Sequence, residues 1–460
     1  MRLPEQHRAT KPDSIVLTQV FFAMWHTARP TSPAGPRSFR GTIRDVMAHF
    51  LTLTPVDDVL AHIAEYAPLP AQRVPLHEAF SRVLAEPFHA PEDLPGFTRS
   101  TMDGFAVRAK DVFGASEGLP ALLQYMGECP MGETPAISLE PGQTARIWTG
   151  GMLPAGADAV VMLEYAREPG SGLIELTRPV APGENVITPT EDATKGALLL
   201  PAGRKLRSQE LGLLAALGQE EVAVYSRPKV AIISTGDEVI PVSETPRPGQ
   251  VRNVNSATLS ALALGCGAEV RRFGLVGDNP ALLEQRVAEA FAWADVLLLS
   301  GGSSAGQRDH TLAVLQSLPG ATLFAHGVAI SPGKPLIVYR AGNKALWGLP
   351  GHAASALVCA HVFIRPLLHT MQGLAMQDHF ALHTMQATLT RPVPSAQGRR
   401  DYIRVALSPP AEPGGLMQAR PIRGKSGLIT TLVQADALVV CHESEEGLRA
   451  GQVVPVWLLP

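Results

Sequence analysis

The chain has little of several features that would assign it to a common protein class. Among 460 residues there are only four cysteines (Cys129, Cys266, Cys359 and Cys441), and none forms a CxxC pair. This argues against a disulfide scaffold or a structural zinc site and favours a reducing compartment. The formal net charge is -3 and aromatic residues make up 5%. The chain therefore lacks the basic excess and the stacking residues of a nucleic-acid-binding protein.

Long apolar runs are also scarce near the N-terminus. The longest one there, Ile15–Trp25, is too short to span a bilayer. Glu5 and Asp13 precede it and no small-residue cleavage site follows, so neither a membrane anchor nor a signal peptide is expected. Together with the scattered cysteines, this predicts a cytoplasmic protein.

The patterns that are present predict an α/β protein of several domains, because 460 residues are too many for one core. Residues 1–45 are predicted to be a disordered extension, since prolines lie there among Ser, Thr, Gly and Arg. Helical patterns in 46–90 and 184–222 flank residues 91–183, where short apolar runs broken by Pro and Gly predict a β-rich domain. Residues 376–460 are predicted to form a small β-domain.

Residues 223–375 alternate between strand and helix patterns. The predicted strands are 229–233, 269–276, 295–299 and 335–339, and the predicted helices are 255–265, 280–293, 309–317 and 353–369. This alternation is typical of a parallel-rich sheet covered by helices on both faces.

Two strand-to-loop junctions of this domain end in acid. The first contains Ser234, Thr235, Gly236 and Glu238, and the second contains Gly301, Gly302, Ser303 and Asp309. Ligands of open α/β sheets bind at the carboxyl ends of strands, where glycines let backbone N–H groups approach an anion. Because carboxylates repel a bare anion, a bridging metal ion is the simplest explanation, and a phosphorylated ligand is predicted. The acids could alternatively cap helices.

Four further segments have a functional and a purely structural interpretation. Asp103 lies in an Asp-Gly turn, and Thr149 opens a Gly-rich segment. From local sequence alone, a hairpin turn and a surface loop are the simpler interpretations. Lys334 lies in Ser331–Pro335 and would contact phosphate or solvent. Pro350 and Gly351 precede a helix N-terminus, a natural anion site.

Taken together, these motifs resemble the molybdopterin molybdenumtransferase family, which includes MoeA and the gephyrin E domain. The resemblance runs in order from about residue 47 to the end, and six segments carry it: Ser100–Ala106, Thr149–Asp158, Ser234–Val239, Ser300–Gly306, Ser331–Pro335 and Gly348–Gly351. It implies an elongated helical, dimerising domain from 46–90 and 184–222, an inserted β-domain, an α/β molybdopterin-binding domain and a C-terminal β-barrel. It also implies a homodimer with its site in a cleft between subunits.

The resemblance implies insertion of molybdate into adenylated molybdopterin, with release of AMP and with Mg²⁺ as cofactor. Recipient molybdoenzymes or other cofactor-synthesis enzymes would be further partners. The implied catalytic residues are Asp103, Glu238, Asp278 and Asp309, of which the last three would hold the metal. The implied binding residues are Thr149, Asp192, Ser234, Thr235, Gly236, Gly301, Gly302, Ser303, Lys334, Pro350, Gly351, Arg399 and Ser426.

The chain departs from the family pattern mainly in its cations. Three expected lysines fall on Leu312, Gly327 and Ser331, and the usual Leu-Pro-Gly-Asn-Pro is Leu349–Ala353, with His352 at the Asn position. Two alternatives therefore stay open: a non-catalytic molybdopterin-binding paralogue or scaffold, and an enzyme for adenylyl transfer or for insertion of another oxyanion such as tungstate. The retained acids favour catalysis.

Overall fold

The structure is a computed structural model that describes residues 53–170, 172–277, 279–301, 305–374, 384–410 and 412–459, with the backbone alone for 305–309. The predicted disordered extension, residues 1–45, lies outside this range. The described chain begins with helix α1 (Val56–Ala64), strand β1 (Ala71–Pro75), a 3₁₀ turn (Leu76–Glu78) and strand β2 (Phe88–His89). Helix α1 buries Val56, Val59 and Ile63 in the core of the α/β domain described below.

The next part of the chain is the predicted β-rich domain. Its strands are β3 (Arg99–Ser100), β4 (Gly104–Val107), β5 (Ala121–Glu128), β6 (Gln143–Ile147), β7 (Ala159–Met162), β8 (Ala166–Arg167), β9 (Leu173–Leu176) and β10 (Val186–Ile187). Single 3₁₀ turns lie at Ala109–Val112 and Leu163–Tyr165. Six of the strands form one sheet in the order β7-β4-β6-β5-β9-β8, and β3 pairs with β10. Phe105, Leu123 and Leu176 of this sheet are buried together in one hydrophobic cluster.

The chain then returns to the region of β1 and β2. It forms β11 (Leu198–Leu200), helix α2 (Ser208–Ala216) and β12 (Glu221–Tyr225). Strand β11 pairs with β2, and β12 pairs antiparallel with β1. These pairings join the two chain segments on either side of the β-rich domain.

Glu210 in the first turn of α2 is a buried carboxylate, only 4% exposed. It accepts hydrogen bonds from the guanidinium groups of Arg204 and Arg207 and from the Arg207 backbone N–H, at 2.6–3.3 Å. The hydrogen bonds from Arg207 hold the pKa of Glu210 well below its usual range. The stabilisation is fully present above the pKa of an unfolded-chain glutamate, declines as the pH falls below that value, and is lost once the pH has fallen through the lower folded value.

We expect Glu210→Gln to lower the free energy of unfolding by about 2 kcal/mol at pH 7, because it removes charge-assisted bonds from a buried acceptor. Urea denaturation of both proteins from pH 7 to pH 3 would measure this. The difference should begin to shrink below about pH 4.5, the ordinary pKa of a glutamate, remain measurable at pH 4 and decrease further in stronger acid. A difference already absent at pH 5 would contradict the depressed pKa.

The α/β domain follows. Its strands are β13 (Lys229–Thr235), β14 (Val239–Ile240), β15 (Val251–Arg252), β16 (Glu269–Val276), β17 (Val296–Gly301), β18 (Ala321–His326), β19 (Ile330–Ser331), β20 (Ile337–Ala341) and β21 (Lys344–Leu349). Its helices are α3 (Asn255–Gly265), α4 (Pro280–Trp293), α5 (Ala305–Ser317) and α6 (Ala353–Cys359), which continues through a π turn (Ala360–Ile364) into α7 (Arg365–Met371). The main sheet has the order β16-β13-β17-β21-β20-β18.

The first four strands of this order are parallel, which confirms the parallel-rich sheet. The predicted strand 335–339, observed as β20, instead runs antiparallel to both of its neighbours. The prediction missed β18 and β21. Strands β20 and β21 form a hairpin around Ala341–Lys344, so this edge needs no crossover helix.

Strand β13 shows why these apolar runs form buried strands. Val230 and Ile232 pack on one face with α1, α3 and the α6–α7 helix, whereas Ala231 and Ile233 pack on the other face with α4 and α5. Side chains alternate between faces along a strand, so a strand covered on both sides must be apolar throughout. The predicted helical layers on both faces are confirmed.

Within the described part of the chain, one helical stretch, Ala353–Met371, is long and apolar enough to cross a membrane. Its apolar window is 83% buried inside the fold, which identifies it as a core helix. Pro366 has no N–H to donate, and the helix widens into the π turn just before it.

The chain ends in the predicted small β-barrel. Its elements are β22 (Thr384–Leu389), β23 (Val393–Pro394), β24 (Arg400–Ser408), β25 (Met417–Pro421), helix α8 (Thr430–Val433), β26 (Ala437–Cys441), β27 (Gly447–Leu448) and β28 (Val453–Leu458). The order β24-β25-β22-β28-β26 closes because β24 also pairs with β26, giving five strands. Ala387, Val405, Ala437 and Val456 fill the interior.

Arg400, at the start of β24, joins the barrel to helix α1. Arg400 is 9% exposed, and its guanidinium group donates to both carboxylate oxygens of Asp57, at 2.7 and 2.8 Å, and of Glu443, at 2.9 Å each. These bonds hold the pKa of Glu443 below its usual range. We call Asp57, Arg400 and Glu443 the barrel clamp.

Candidate functional site

The side chains of Ser234, within β13, and Asn253, after β15, organise the carboxyl end of β13. Ser234, 2% exposed, donates its hydroxyl hydrogen bond to Asn253 Oδ1 at 3.0 Å. The same Asn253 oxygen accepts the Ser256 backbone N–H at 3.2 Å, in the first turn of α3. The strand end and the helix start are therefore tied together by one asparagine.

Asn255 extends this network to the next two strands. Its buried Nδ2 donates to Ser300 Oγ at the end of β17 and to the Gly351 carbonyl after β21, both at 2.8 Å. The Pro350 carbonyl lies 3.5 Å from the same nitrogen. Asn255 thus ties the end of β17 to the turn after β21, which contains the predicted binding residues Pro350 and Gly351. We call Ser234, Asn253, Asn255, Ser300 and Gly351 the strand-end cluster.

Asn253 and Asn255 were not predicted as site residues. The available signal was an Asn-Val-Asn-Ser segment directly before an apolar helix, which is typical of a helix start. It gave no indication that one side chain would reach two other strands.

The glycines at the two predicted junctions are required by close contacts. Gly301 has φ +145°, and a Cβ atom there would lie 2.0 Å from the Thr235 carbonyl oxygen. Gly236 has φ +128°, and a Cβ atom there would lie 2.6 Å from the Glu238 carboxylate. A side chain at position 301 would displace the end of β13, and a side chain at position 236 would displace the Glu238 carboxylate. Both positions therefore require glycine.

The carboxylates at this edge are hard oxygen donors. Glu238, half-buried, lies over Gly236, and the carboxylate of Asp237 lies against Gly277, where a Cβ atom would be 2.7 Å from its Oδ1. The predicted residues Asp278, Gly302 and Ser303, and the side chain of Asp309, lie outside what the structure describes. Within the described residues, no three His, Cys, Asp or Glu side chains gather as a metal site. The predicted metal set therefore stays a prediction.

A loop of the barrel reaches this edge through Ser426. Its Oγ lies 3.1 Å from His352 Nδ1, and its carbonyl accepts the Ala354 backbone N–H at 3.0 Å. Ser426 thus contacts the turn that follows Pro350 and Gly351 and also satisfies one of the free N–H groups at the start of α6. The structure brings the predicted residues Pro350, Gly351 and Ser426 together.

Asp103 and Thr149 form a second group, in the β-rich domain. Asp103 Oδ1 accepts the Thr149 backbone N–H at 2.8 Å and the Thr149 hydroxyl at 2.7 Å. These two bonds hold the pKa of the exposed Asp103 carboxyl below its ordinary value, and the charge of Arg146 acts in the same direction. Asp103 is therefore a carboxylate at neutral pH, with one oxygen left for a ligand.

We expect Thr149→Val to lower kcat/KM about tenfold in the assay described below, because it removes one hydrogen bond to a charged group. The pKa of Asp103, measured by carboxyl NMR titration, should rise towards its ordinary value. Thr149→Ser keeps the hydroxyl and is the matched control. Equal activity of the valine and serine variants would exclude a role for this hydroxyl.

Among the described residues, the remaining predicted residues make no hydrogen bond or ion pair to either group. Asp192 is exposed in a turn, and Lys334 is exposed after Gly333. Arg399 forms an ion pair with Asp401 at 2.9 Å. Among the described residues, no hydrogen bond or ion pair links Asp192, Arg399 or the Asp103–Thr149 pair to the strand-end cluster.

At two of the three positions that lack the expected lysine, the surrounding structure leaves no room for a lysine side chain. Leu312 is buried between α5 and the sheet. Gly327 has φ +95°, which disfavours any side chain, and Leu53 lies close to it. Ser331 is half-buried. None of these positions places a cation at the carboxyl edge.

Comparison with known proteins covers almost the whole described chain. Residues 54–218 match the MoeA N-terminal region (domains I and II), residues 231–370 match the "Probable molybdopterin binding domain", and residues 386–459 match the MoeA C-terminal region (domain IV). The strand-end cluster lies entirely within the second match.

Relatives of full length agree with these matches. The chain is 35% identical over 450 residues to the molybdopterin molybdenumtransferase of Nostoc sp., covering 95% of this chain and 97% of the relative. It is 32% identical over 413 residues to that of Bacillus subtilis, covering 89% and 94%. A solved structure of the molybdopterin biosynthesis MoeA protein from Pyrococcus horikoshii superposes with a TM-score of 0.72 at 34% identity, covering 88% and 99%. The chain belongs to the molybdopterin molybdenumtransferase family.

Proposed function

We propose that this chain inserts molybdate into adenylated molybdopterin and releases AMP, the last step of molybdenum cofactor synthesis. The observation that carries the proposal is the strand-end cluster beside Glu238, at the carboxyl edge of a parallel sheet. This edge is where α/β domains bind ligands. Family membership and the carboxylates at the edge favour catalysis over a scaffold role.

The residues present suit Mg²⁺, because Glu238 offers hard oxygens and Mg²⁺ in phosphate sites usually takes one or two carboxylates plus substrate phosphate. Glu238, Asp278 and Asp309 would hold it. When bound, the ion would offset phosphate charge. The chain's own part is to present backbone N–H groups near Gly236 and Gly301 to the anion and to orient the pterin by the turn at Pro350 and Gly351.

The second group, Asp103 and Thr149, supports a homodimer. It has no described contact with the strand-end cluster within one chain, yet it presents an ionised carboxylate towards solvent. We propose that Asp103 and Thr149 of one subunit complete the site of the other. The cofactor would then pass to molybdoenzymes in the cytoplasm.

The test is AMP release by purified protein supplied with adenylated molybdopterin, molybdate and Mg²⁺. AMP formation that depends on molybdate supports insertion. Tight binding of adenylated molybdopterin without AMP formation would favour the scaffold alternative. AMP release with tungstate but not with molybdate would favour another oxyanion.

We expect Glu238→Gln to raise the Mg²⁺ concentration for half-maximal AMP release about tenfold, because a neutral amide binds a hard cation more weakly than a carboxylate. A Mg²⁺ titration of AMP release measures this. Glu117→Gln, on an exposed glutamate of the β-rich domain, is the control and should leave the titration unchanged. Coincident Mg²⁺ curves for Glu238→Gln and wild type would remove Glu238 from the metal site.

A further inference from the structure

A buried arginine anchors the barrel segment that carries Ser426. Arg404 on β24 is 7% exposed and donates to the Gly424 carbonyl at 2.9 Å and to the Thr431 hydroxyl. These contacts hold both sides of the segment Arg423–Gly427, which we call the cation loop. If the loop moved, the buried Arg404 guanidinium group would lose its acceptor, which is unfavourable. The hydrogen bond to the Gly424 carbonyl therefore stabilises one loop conformation.

The other side of the cation loop is fixed by the α/β domain. The Ser426 carbonyl accepts the Ala354 N–H at 3.0 Å, and the Ser426 hydroxyl lies 3.1 Å from His352 Nδ1. The loop is therefore held between the barrel and the turn after Gly351, whose carbonyl is bound by Asn255. Any side chain projecting from the loop starts at the edge of the proposed site.

Lys425 and Arg423 precede Ser426 by one and three positions. Both are exposed. Across the described part of the chain, neither side chain has a hydrogen bond or ion pair, whereas Arg404, Arg400 and Arg399 are all engaged. Two unpaired cations on an anchored loop, beside an edge that carries carboxylates, favour an anionic ligand there.

We propose that Arg423 and Lys425 bind the phosphate oxygens of adenylated molybdopterin. The inference rests on the proposed function and specifies which residues supply positive charge to that site. It also accounts for the positions Leu312, Gly327 and Ser331, where no cation reaches the edge: the charge comes from the barrel loop.

The test is the KM for adenylated molybdopterin in the AMP-release assay, for Arg423→Ala, Lys425→Ala and the double variant. Loss of one charge-assisted contact should raise KM about tenfold, and loss of both about fiftyfold or more, with kcat within about threefold of wild type. Lys425→Arg should restore most of the affinity. Arg420→Ala removes an exposed cation from β25 of the same barrel and should leave KM unchanged.

Ionic strength separates a phosphate contact from a structural effect. The KM of the wild type should rise more steeply with added salt than the KM of the double variant, because screening acts on the charges that the variant lacks. Wild-type KM and salt dependence in the double variant would overturn the proposal.

If the wild type releases no AMP, the proposed function fails, and equilibrium binding of adenylated molybdopterin decides the inference separately. Binding that is at least tenfold weaker in the double variant than in wild type and Arg420→Ala would support the cation loop. Equal binding by all three proteins, or no binding by the wild type, would overturn it.

Discussion

Replacing Asn255 by aspartate is expected to lower kcat/KM for AMP release by about two orders of magnitude or more, although the two side chains have the same shape. The carboxylate would face the Gly351 carbonyl and Ser300 Oγ at the 2.8 Å distances that Nδ2 now occupies. A donor to the carbonyl is replaced by a buried charge that repels it, so the turn after β21 must move. Steady-state AMP release, with the unfolding midpoint measured in parallel, checks this.

The size of the expected effect comes from position rather than from contact with substrate. Asn255 holds the ends of β17 and β21 in one arrangement, and misplacement of binding groups by about 1 Å can cost a factor of a hundred in rate. Gln209→Glu, the same amide-to-acid change on an exposed side chain of α2, is the control. Near-normal kcat/KM for a well-folded Asn255→Asp would show that the strand-end cluster does not organise the site.

Breaking the barrel clamp is expected to give the largest loss of stability. Asp57 and Glu443 are 60% and 41% exposed, whereas Arg400 is 10% exposed by its side chain. The double variant Asp57→Asn with Glu443→Gln leaves a buried guanidinium group without a counter-charge, and should cost about 3–5 kcal/mol. Arg400→Met leaves two carboxylates that water can reach, and should cost only about 1–2 kcal/mol.

Urea unfolding of the three proteins at pH 7 measures this order. Glu221→Gln breaks the exposed pair between Arg73 and Glu221 and should change stability by less than about 1 kcal/mol. The clamp's contribution is present above the pKa of an unfolded-chain glutamate and is lost as the pH falls through the depressed pKa of Glu443. Arg400→Met more destabilising than the double variant would contradict the assignment of the buried charge.

The sequence predicts those parts of the fold whose signal is local. Strands such as β13 are buried on both faces, so their unbroken apolar runs stand out. Helices α3 and α4 have local end signals, because α3 ends at Gly265 and α4 begins at Pro280 after Asn279. Strand β21 of the β20–β21 hairpin, Lys344–Leu349, was not predicted. Its last residues, Gly348 and Leu349, belong to the Gly348–Gly351 motif, which was interpreted as a ligand-binding turn. The antiparallel direction of the hairpin depends on pairing, which no local pattern reports.

The candidate site shows the same division. Gly236 and Gly301 were predicted from junction chemistry, and the close contacts of Thr235 and Glu238 explain why no other residue fits there. Asn255 and Arg404 were not predicted, because their importance lies in contacts across 96 and 20 residues of sequence. Such long-range polar contacts leave no periodic trace.

Molybdate insertion is tested by measuring AMP and pterin-bound molybdenum in the same reaction. Purified protein, adenylated molybdopterin and Mg²⁺ are incubated with and without molybdate. Insertion predicts equal amounts of AMP and pterin-bound molybdenum, both dependent on molybdate. AMP released without molybdenum incorporation, or neither product from protein that binds adenylated molybdopterin, would contradict it.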